Sequence, residues 1–307
     1  MARSDKVDEA GGGSVSPYLL LTLTMLFWGG NAVLARGIAA EVPPMNLSFW
    51  RWVVALAVLL PFGLRPMWEQ RALYLRHWKI VTLLAILGVT GFNSFLYHAV
   101  QYTLALNAIL VTSVIPAATV MTSWLLFRDR IGWRMAAGSL VAFAGVFAII
   151  VRGDPGTLFD LRFNRGDLFA LASVAVWALY TTLFRKLPRE FHPVGFMQAI
   201  TIIGLVFIVP FYGRELAAGD VLVLSRGAVF GIAYVGIFAS VLAFIFFNKG
   251  VTAVGGSRAA QFNYLTPVFG GAMAIVFLGE SLEWFHAVGV ALILPGLYLA
   301  ANRGRRA

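Results

Sequence analysis

The sequence predicts an all-α integral membrane protein of ten transmembrane helices, built as two five-helix repeats of inverted topology. Three observations predict it. The chain is 60% hydrophobic and only 12% charged, where a soluble domain carries about 25% charged residues. Ten apolar stretches of bilayer-crossing length follow one another with short polar breaks. Landmarks of the first half recur in the second at two constant offsets. Trp28/Trp177, Pro44/Pro193 and Pro61-Phe62/Pro210-Phe211 lie 149 apart. Pro116/Pro267, Asp129/Glu280, Trp133/Trp284, Gly138/Gly289 and Gly145/Gly296 lie 151 apart, so one two-residue insertion accounts for the whole register.

In chain order, residues 1–16 are small and polar, and form a disordered N-terminal tail. The apolar stretch that follows is too long for a signal-peptide core and reads as a retained first span. The spans fall at about 17–36, 46–63, 79–100, 106–127, 132–151, 167–185, 193–212, 227–248, 258–278 and 284–301. Only Gln101 to Asn107 divides the third from the fourth, and joining them would give a run far longer than one crossing. Residues 17–151 form the first repeat and 167–301 the second. Residues 152–166 connect them outside the membrane, and 302–307 are a basic tail.

The net charge of +10 does not point to nucleic acid, because the basic residues sit in short loops. Counted by side, 17 Lys and Arg lie on the face that holds both termini and 6 on the other, Arg51 being inside a span. The positive-inside rule then puts both termini in the cytoplasm and the 152–166 loop in the periplasm. Five spans per half is an odd number, so the second half crosses upside down. Inverted repeats of this kind enclose a mid-membrane site in alternating-access carriers, and less often build channels. The expectation is therefore a secondary transporter rather than an enzyme. An intramembrane transferase would need clustered carboxylates with a divalent metal, and the acids here are scattered. With no Cys, thiolate metal sites are excluded, and no cofactor or metal is expected.

The candidate site residues are the aromatic and polar side chains in mid-span. Trp28 and Asn31 share one face of span 1, and Trp177 and Tyr180 repeat that spacing on span 6. Two indoles can sandwich an aromatic or apolar side chain, while Asn31 and Tyr180 can hydrogen-bond an amino or carboxylate group. Span 3 offers Asn93, Ser94, Tyr97, His98 and Gln101. Positions 94, 97, 98 and 101 form one helical stripe. His98 can bind a carboxylate or exchange a proton, which would supply proton coupling, or simply make structural hydrogen bonds. Tyr234, Ser240, Asn263 and Tyr264 are the second-half counterparts. Trp50, Trp52, Trp78, Trp133 and Trp284 lie near span ends and read as interfacial belts.

Arg51, a turn and a half into span 2, either contacts a substrate carboxylate or snorkels to the headgroups. Lys249 and Arg258 flank the inner loop as topology determinants. Pro116 and Pro267 bend spans 4 and 9 at matched positions and are the expected hinges of a symmetric gate, with Gly270-Gly271 softening span 9. No Asp or Glu falls in the middle third of any span. That weighs against cationic drugs as main cargo, against phosphorylated sugars for want of mid-span cations, and towards neutral or zwitterionic solutes. Oligomeric state, monomer or weak homodimer, is left open by the glycine pairs of spans 5 and 10.

Several of these residues carry a family resemblance: Phe27-Trp28-Gly29-Gly30-Asn31, Arg51, the prolines Pro116 and Pro267, and the acidic turns Asp129 and Gly279-Glu280, each with a Trp four residues on. From about Pro17 to Ala300 the chain resembles the EamA-type branch of the drug/metabolite transporter superfamily. In that family the acidic turn is usually Gly-Glu, and Arg128-Asp129 departs from it. The aromatic-rich spans look most like the YddG-type exporters of aromatic and other neutral amino acids. The resemblance implies a basket-like ten-helix bundle in a bacterial inner membrane that exports amino acids. Another drug or metabolite exporter of the same superfamily is the alternative.

Overall fold

In lipid a backbone must satisfy its own hydrogen bonds, so long apolar stretches fold as helices. A computed structural model, which describes residues 15–128, 132–151, 164–254 and 262–301, bears this out. Among the described residues every regular element is helical. Eight helices are long and apolar enough to cross a bilayer: α1 (Pro17–Gly37), α2 (Pro44–Glu69), α3 (Trp78–Tyr102), α4 (Ala105–Phe127), α5 (Trp133–Val151), α6 (Arg165–Lys186), α7 (Pro193–Ala217) and α8 (Arg226–Gly250). Two further apolar helices follow, α9 (Leu265–Leu278) and α10 (Trp284–Ala301). Residues 1–14 of the N-terminal tail, the C-terminal tail, Asp129, Arg258 and most of the 152–166 loop lie outside the described residues. Pro17, Pro44 and Pro193 open their helices, where a missing N–H costs nothing.

Three helices are irregular inside. In α3 a π-helical segment spans Ile86–Gly91, and in α8 another spans Val235–Leu242. The two start 149 residues apart. In α4 the helix stops at Thr112 and resumes at Ile115. Pro116 has no N–H for the Thr112 carbonyl and its ring crowds that oxygen. The chain closes the gap with tighter bonds, from Ser113 N to the Leu110 carbonyl (3.2 Å) and from Val114 N to the Val111 carbonyl (3.3 Å). A 3-10 turn at Phe262–Tyr264 precedes α9, with Pro267 in the first α-helical turn. Gly270 and Gly271 are buried, and a Cβ added at Gly29 of α1 would meet the Gly270 nitrogen at 2.8 Å. These glycines thus permit a close helix crossing, a packing role beside any softening of α9.

The helices pack in reciprocal pairs. α2 lies against α7 and α5 against α10. α1 packs on α8 and α9, and α6 packs on α3 and α4. The π-helical segment of α8 lies on α2, and that of α3 on α7. The α5–α10 crossing uses Gly145, Gly289 and Gly296, where the helix backbones nearly touch. That places the glycine pairs in contact within one chain.

The turns near residues 38–44, 103–104, 218–225 and 279–283 lie together at one end of the bundle, and carboxylates tie them. Gly279, at φ 66°, ends α9 in the left-handed conformation that glycine tolerates. The next residue, Glu280, turns onto the start of α4 and takes the N–H groups of Ala105 and Leu106 at 2.8 Å each. Glu215, at the end of α7, likewise accepts from Met45 N at 3.0 Å and Asn46 N at 2.7 Å at the start of α2. Each carboxylate comes from the second half and satisfies orphan N–H groups of a first-half helix. Glu280→Gln removes the charge and turns one acceptor into a donor facing a donor. It is expected to cost about 1–3 kcal/mol, read as a lower thermal midpoint in detergent. An unchanged midpoint would show the cap to be energetically idle.

Candidate functional site

A residue early in a span can reach the headgroups or turn inward, and Arg51 turns inward. It is 3% exposed, so the snorkelling alternative is wrong. Its Nη1 donates to Asn93 Oδ1 at 2.5 Å, to the Tyr97 hydroxyl, and more weakly to Asn31 Oδ1 at 3.4 Å. Its Nε and Nη2 both donate to Ser240 Oγ, at 3.1 and 2.6 Å. The Tyr97 hydroxyl donates a hydrogen bond to Asn31 Oδ1 at 2.9 Å. The guanidinium carbon sits 5.0 Å from the Trp52 ring centre and 5.6 Å from that of Tyr97. Four helices, α1, α2, α3 and α8, thus converge on one cation. All of these acceptors are neutral, and the ion pair of Arg65 with Glu69 lies elsewhere.

An aromatic wall adjoins this hub. Trp28 Nε1 donates to the Ala239 carbonyl at 3.2 Å, and its ring lies 5.4 Å from Phe247. The Tyr234 hydroxyl reaches the Phe27 carbonyl at 3.5 Å and leaves no room for a side chain at Gly30. Both π-helical segments present carbonyls to indoles, Ala239 to Trp28 and Val89 to Trp52 at 3.0 Å. A π-turn releases backbone acceptors in this way, and such turns concentrate at functional sites. A second cluster lies on the other flank of α3. There Trp177 stacks on Tyr180 at 4.9 Å and packs on Phe92 at 4.6 Å, with Tyr180 against Gly88.

The structure brings together Trp28, Asn31, Arg51, Tyr97 and Tyr234, and seats Trp177 and Tyr180 one helix away. Other expected residues stand apart. His98 bonds the Ser94 carbonyl at 2.7 Å and faces Phe169 of α6, its ring centre 5.3 Å away. Gln101 donates to the Ala39 carbonyl at 3.1 Å, at the mouth of a cavity of about 490 Å³ that Arg36, Leu104 and Glu280 also line. Asn263 belongs to the 3-10 turn ahead of α9, near the opposite end. The stripe 94, 97, 98, 101 therefore does not face one place. The hub takes Asn93 and Tyr97, one turn apart, while Ser94 pairs with Ser48 of α2 at 3.1 Å. Trp52 is also misassigned to the belt, since it is 4% exposed and bonded to Val89, unlike Trp78, Trp133 and Trp284. Asn93 and Ser240 are the contacts that sequence reasoning underrated. The signal for Ser240 was a lone polar side chain in the apolar run Val235–Leu242, whereas Asn93 was one of several polar residues on its helix.

A model of the EamA-like transporter family matches residues 15–151 and again residues 164–302. An uncharacterized transporter of Archaeoglobus fulgidus is 28% identical over 288 residues, which is 93% of this chain and 97% of that protein. An uncharacterized transporter of Bacillus subtilis is 25% identical over 93% of each chain. A Salmonella typhimurium protein named as a probable amino-acid metabolite efflux pump is 24% identical over 91% of this chain and 93% of its own. A solved crystal structure shares the fold at a TM-score of 0.61, with 21% identity over 95% of this chain and 99% of the other.

Proposed function

We propose that this chain, which belongs to the EamA-like transporter family, exports amino acids, aromatic and other neutral ones foremost, by alternating access. The observation that carries the reading is the Arg51 hub. A guanidinium held in the membrane by neutral dipoles alone is short of one negative charge. The carboxylate of a zwitterion supplies it. The aromatic wall of Trp28 and Tyr234 beside the hub suits an apolar or aromatic side chain. The name of the Salmonella relative points the same way.

Alternating access is supported by the twofold match of the family model and by the reciprocal packing of α1 on α8 and α6 on α3. Equivalent helices of two inverted repeats pair in this manner, and an exchange of their conformations moves the opening from one side to the other. The interruption at Ser113–Val114 and the matching one ahead of Leu265 are the natural hinge points. By the distribution of basic residues both termini face the cytoplasm of a bacterial cell, and the carboxylate-tied end faces out.

The test is counter-flow of labelled L-tryptophan and L-phenylalanine into proteoliposomes, with and without a pH gradient. Saturable uptake is expected. Trp28→Ala should slow it by about tenfold or more, given roughly 1.5 kcal/mol or more for a lost aromatic wall. Uptake at the normal rate in both Trp28→Ala and Trp177→Ala would remove the aromatic assignment. Uptake of lipophilic cations in place of amino acids would favour a drug exporter.

A further inference from the structure

Resting on the reading that Arg51 receives the substrate carboxylate, we infer that the Ser240 hydroxyl is the placeholder this carboxylate displaces, and that its displacement releases α8 from α2. A guanidinium presents Nε–H and one Nη2–H side by side, spaced for the two oxygens of a carboxylate. In this structure both groups converge on a single oxygen, Ser240 Oγ, at 3.1 and 2.6 Å. One neutral acceptor occupies an edge built for two charged ones. The other side of the guanidinium is fixed separately by Asn93 and Tyr97, so Arg51 keeps its place when the edge changes partner.

Ser240 is also suited to leave. Its own proton goes to the Val235 carbonyl at 2.7 Å, five residues back and inside the π-helical segment. That bond survives departure from the arginine, so displacement strands no buried hydroxyl. The incoming carboxylate brings a negative charge and a second acceptor oxygen to an edge that now holds one neutral oxygen, so each N–H gains its own ionised partner. The link that breaks is a cross-half one, between α2 and α8. The next residue back, Ala239, holds Trp28 through its carbonyl. A shift of the π-helical segment therefore reaches the carboxylate edge and the aromatic wall together. A substrate that lacks a carboxylate leaves the Ser240 link intact.

The test is equilibrium binding of L-[³H]tryptophan and of [³H]tryptamine, which lacks the carboxylate, to the purified full chain. The chain has no cysteine, which also allows spectroscopic labels to be placed freely. Ser240→Ala removes the competitor and is expected to lower the Kd for tryptophan about fivefold, the equivalent of about 1 kcal/mol, with tryptamine unaffected. Ser240→Asp supplies an internal carboxylate and is expected to raise the tryptophan Kd more than about tenfold, while Ser240→Asn, of like size without charge, does not. Should Ser240→Asp misfold, Ser240→Ala decides alone. A tryptophan Kd that is unchanged or higher in Ser240→Ala, or an equal gain for tryptamine, overturns the placeholder role and leaves the transporter reading standing. Failure of the wild-type chain to bind any amino acid overturns both.

Discussion

Arg51→Ala is expected to abolish amino-acid counter-flow, with a loss of two orders of magnitude or more. Two effects add. The substrate loses its charge-assisted partner, worth about 1.5–3 kcal/mol. In addition, Asn93, Tyr97 and Ser240 lose the donor they share, and Asn31 loses a weaker contact. Leaving the buried Asn93 oxygen unpaired costs about 1–3 kcal/mol where no relaxation occurs, while Ser240 keeps its bond to Val235 and Tyr97 its bond to Asn31. A drop in transport alone would therefore not tell a binding role from a structural one. Arg51→Lys separates them. Lysine keeps the charge and reaches one acceptor, but cannot serve Ser240 and Asn93 at once as a planar fork does. The expected pattern is a folded Lys variant with a KM raised about tenfold or more and a maximal rate much less affected. If Arg51→Lys instead folds, binds and transports normally, the site needs only a positive charge. If Arg51→Ala transports normally, the hub has no part in transport.

The helices were readable because lipid imposes a length. Apolar runs near 20 residues mark crossings whatever they pack against, so eight of the ten expected spans appear where the sequence puts them, mostly a few residues longer, while the ninth and tenth are matched by shorter apolar helices among the described residues. The narrow division between α3 and α4 was also recoverable from length alone. What sequence does not show is which face of each helix turns inward. Lipid and protein interior are equally apolar, so the polar-versus-apolar contrast that reveals a soluble helix's buried face is weak here. Ser94, Tyr97, His98 and Gln101 look like one stripe on paper, yet their partners lie on α2, at the hub, on α6 and beside Ala39. Arg51 shows the same limit. Its depth was legible, but its direction depends on Asn93 and Ser240, residues far away in sequence. The two π-helical segments carry no distinctive composition. They become visible only as a pair, through the same 149-residue spacing that relates Trp28 to Trp177.

Gly296→Ala and Gly213→Ala are expected to shift stability in opposite directions, although the chemical change is the same. At Gly213 of α7 a new Cβ meets nothing within 4 Å. The substitution removes backbone freedom from the unfolded chain and should stabilise by about 0.5–1 kcal/mol. At Gly296 of α10 the new Cβ would stand 2.6 Å from the Ala142 nitrogen and 2.7 Å from the Gly138 carbonyl oxygen of α5. Both obstacles are backbone, which cannot rotate aside as a side chain can. The same crossing is equally tight at Gly145, whose Cβ would meet the Gly289 carbonyl at 2.7 Å. Relief requires the two helices to separate along the contact, and that forfeits dispersion from every layer they share. A destabilisation of about 2–3 kcal/mol follows, seen as a thermal midpoint several degrees lower in detergent. The pair also decides where this contact lies. If Gly296→Ala left the midpoint unchanged and altered only the oligomeric state, the glycines would join two molecules, and the intramolecular α5–α10 crossing would be refuted.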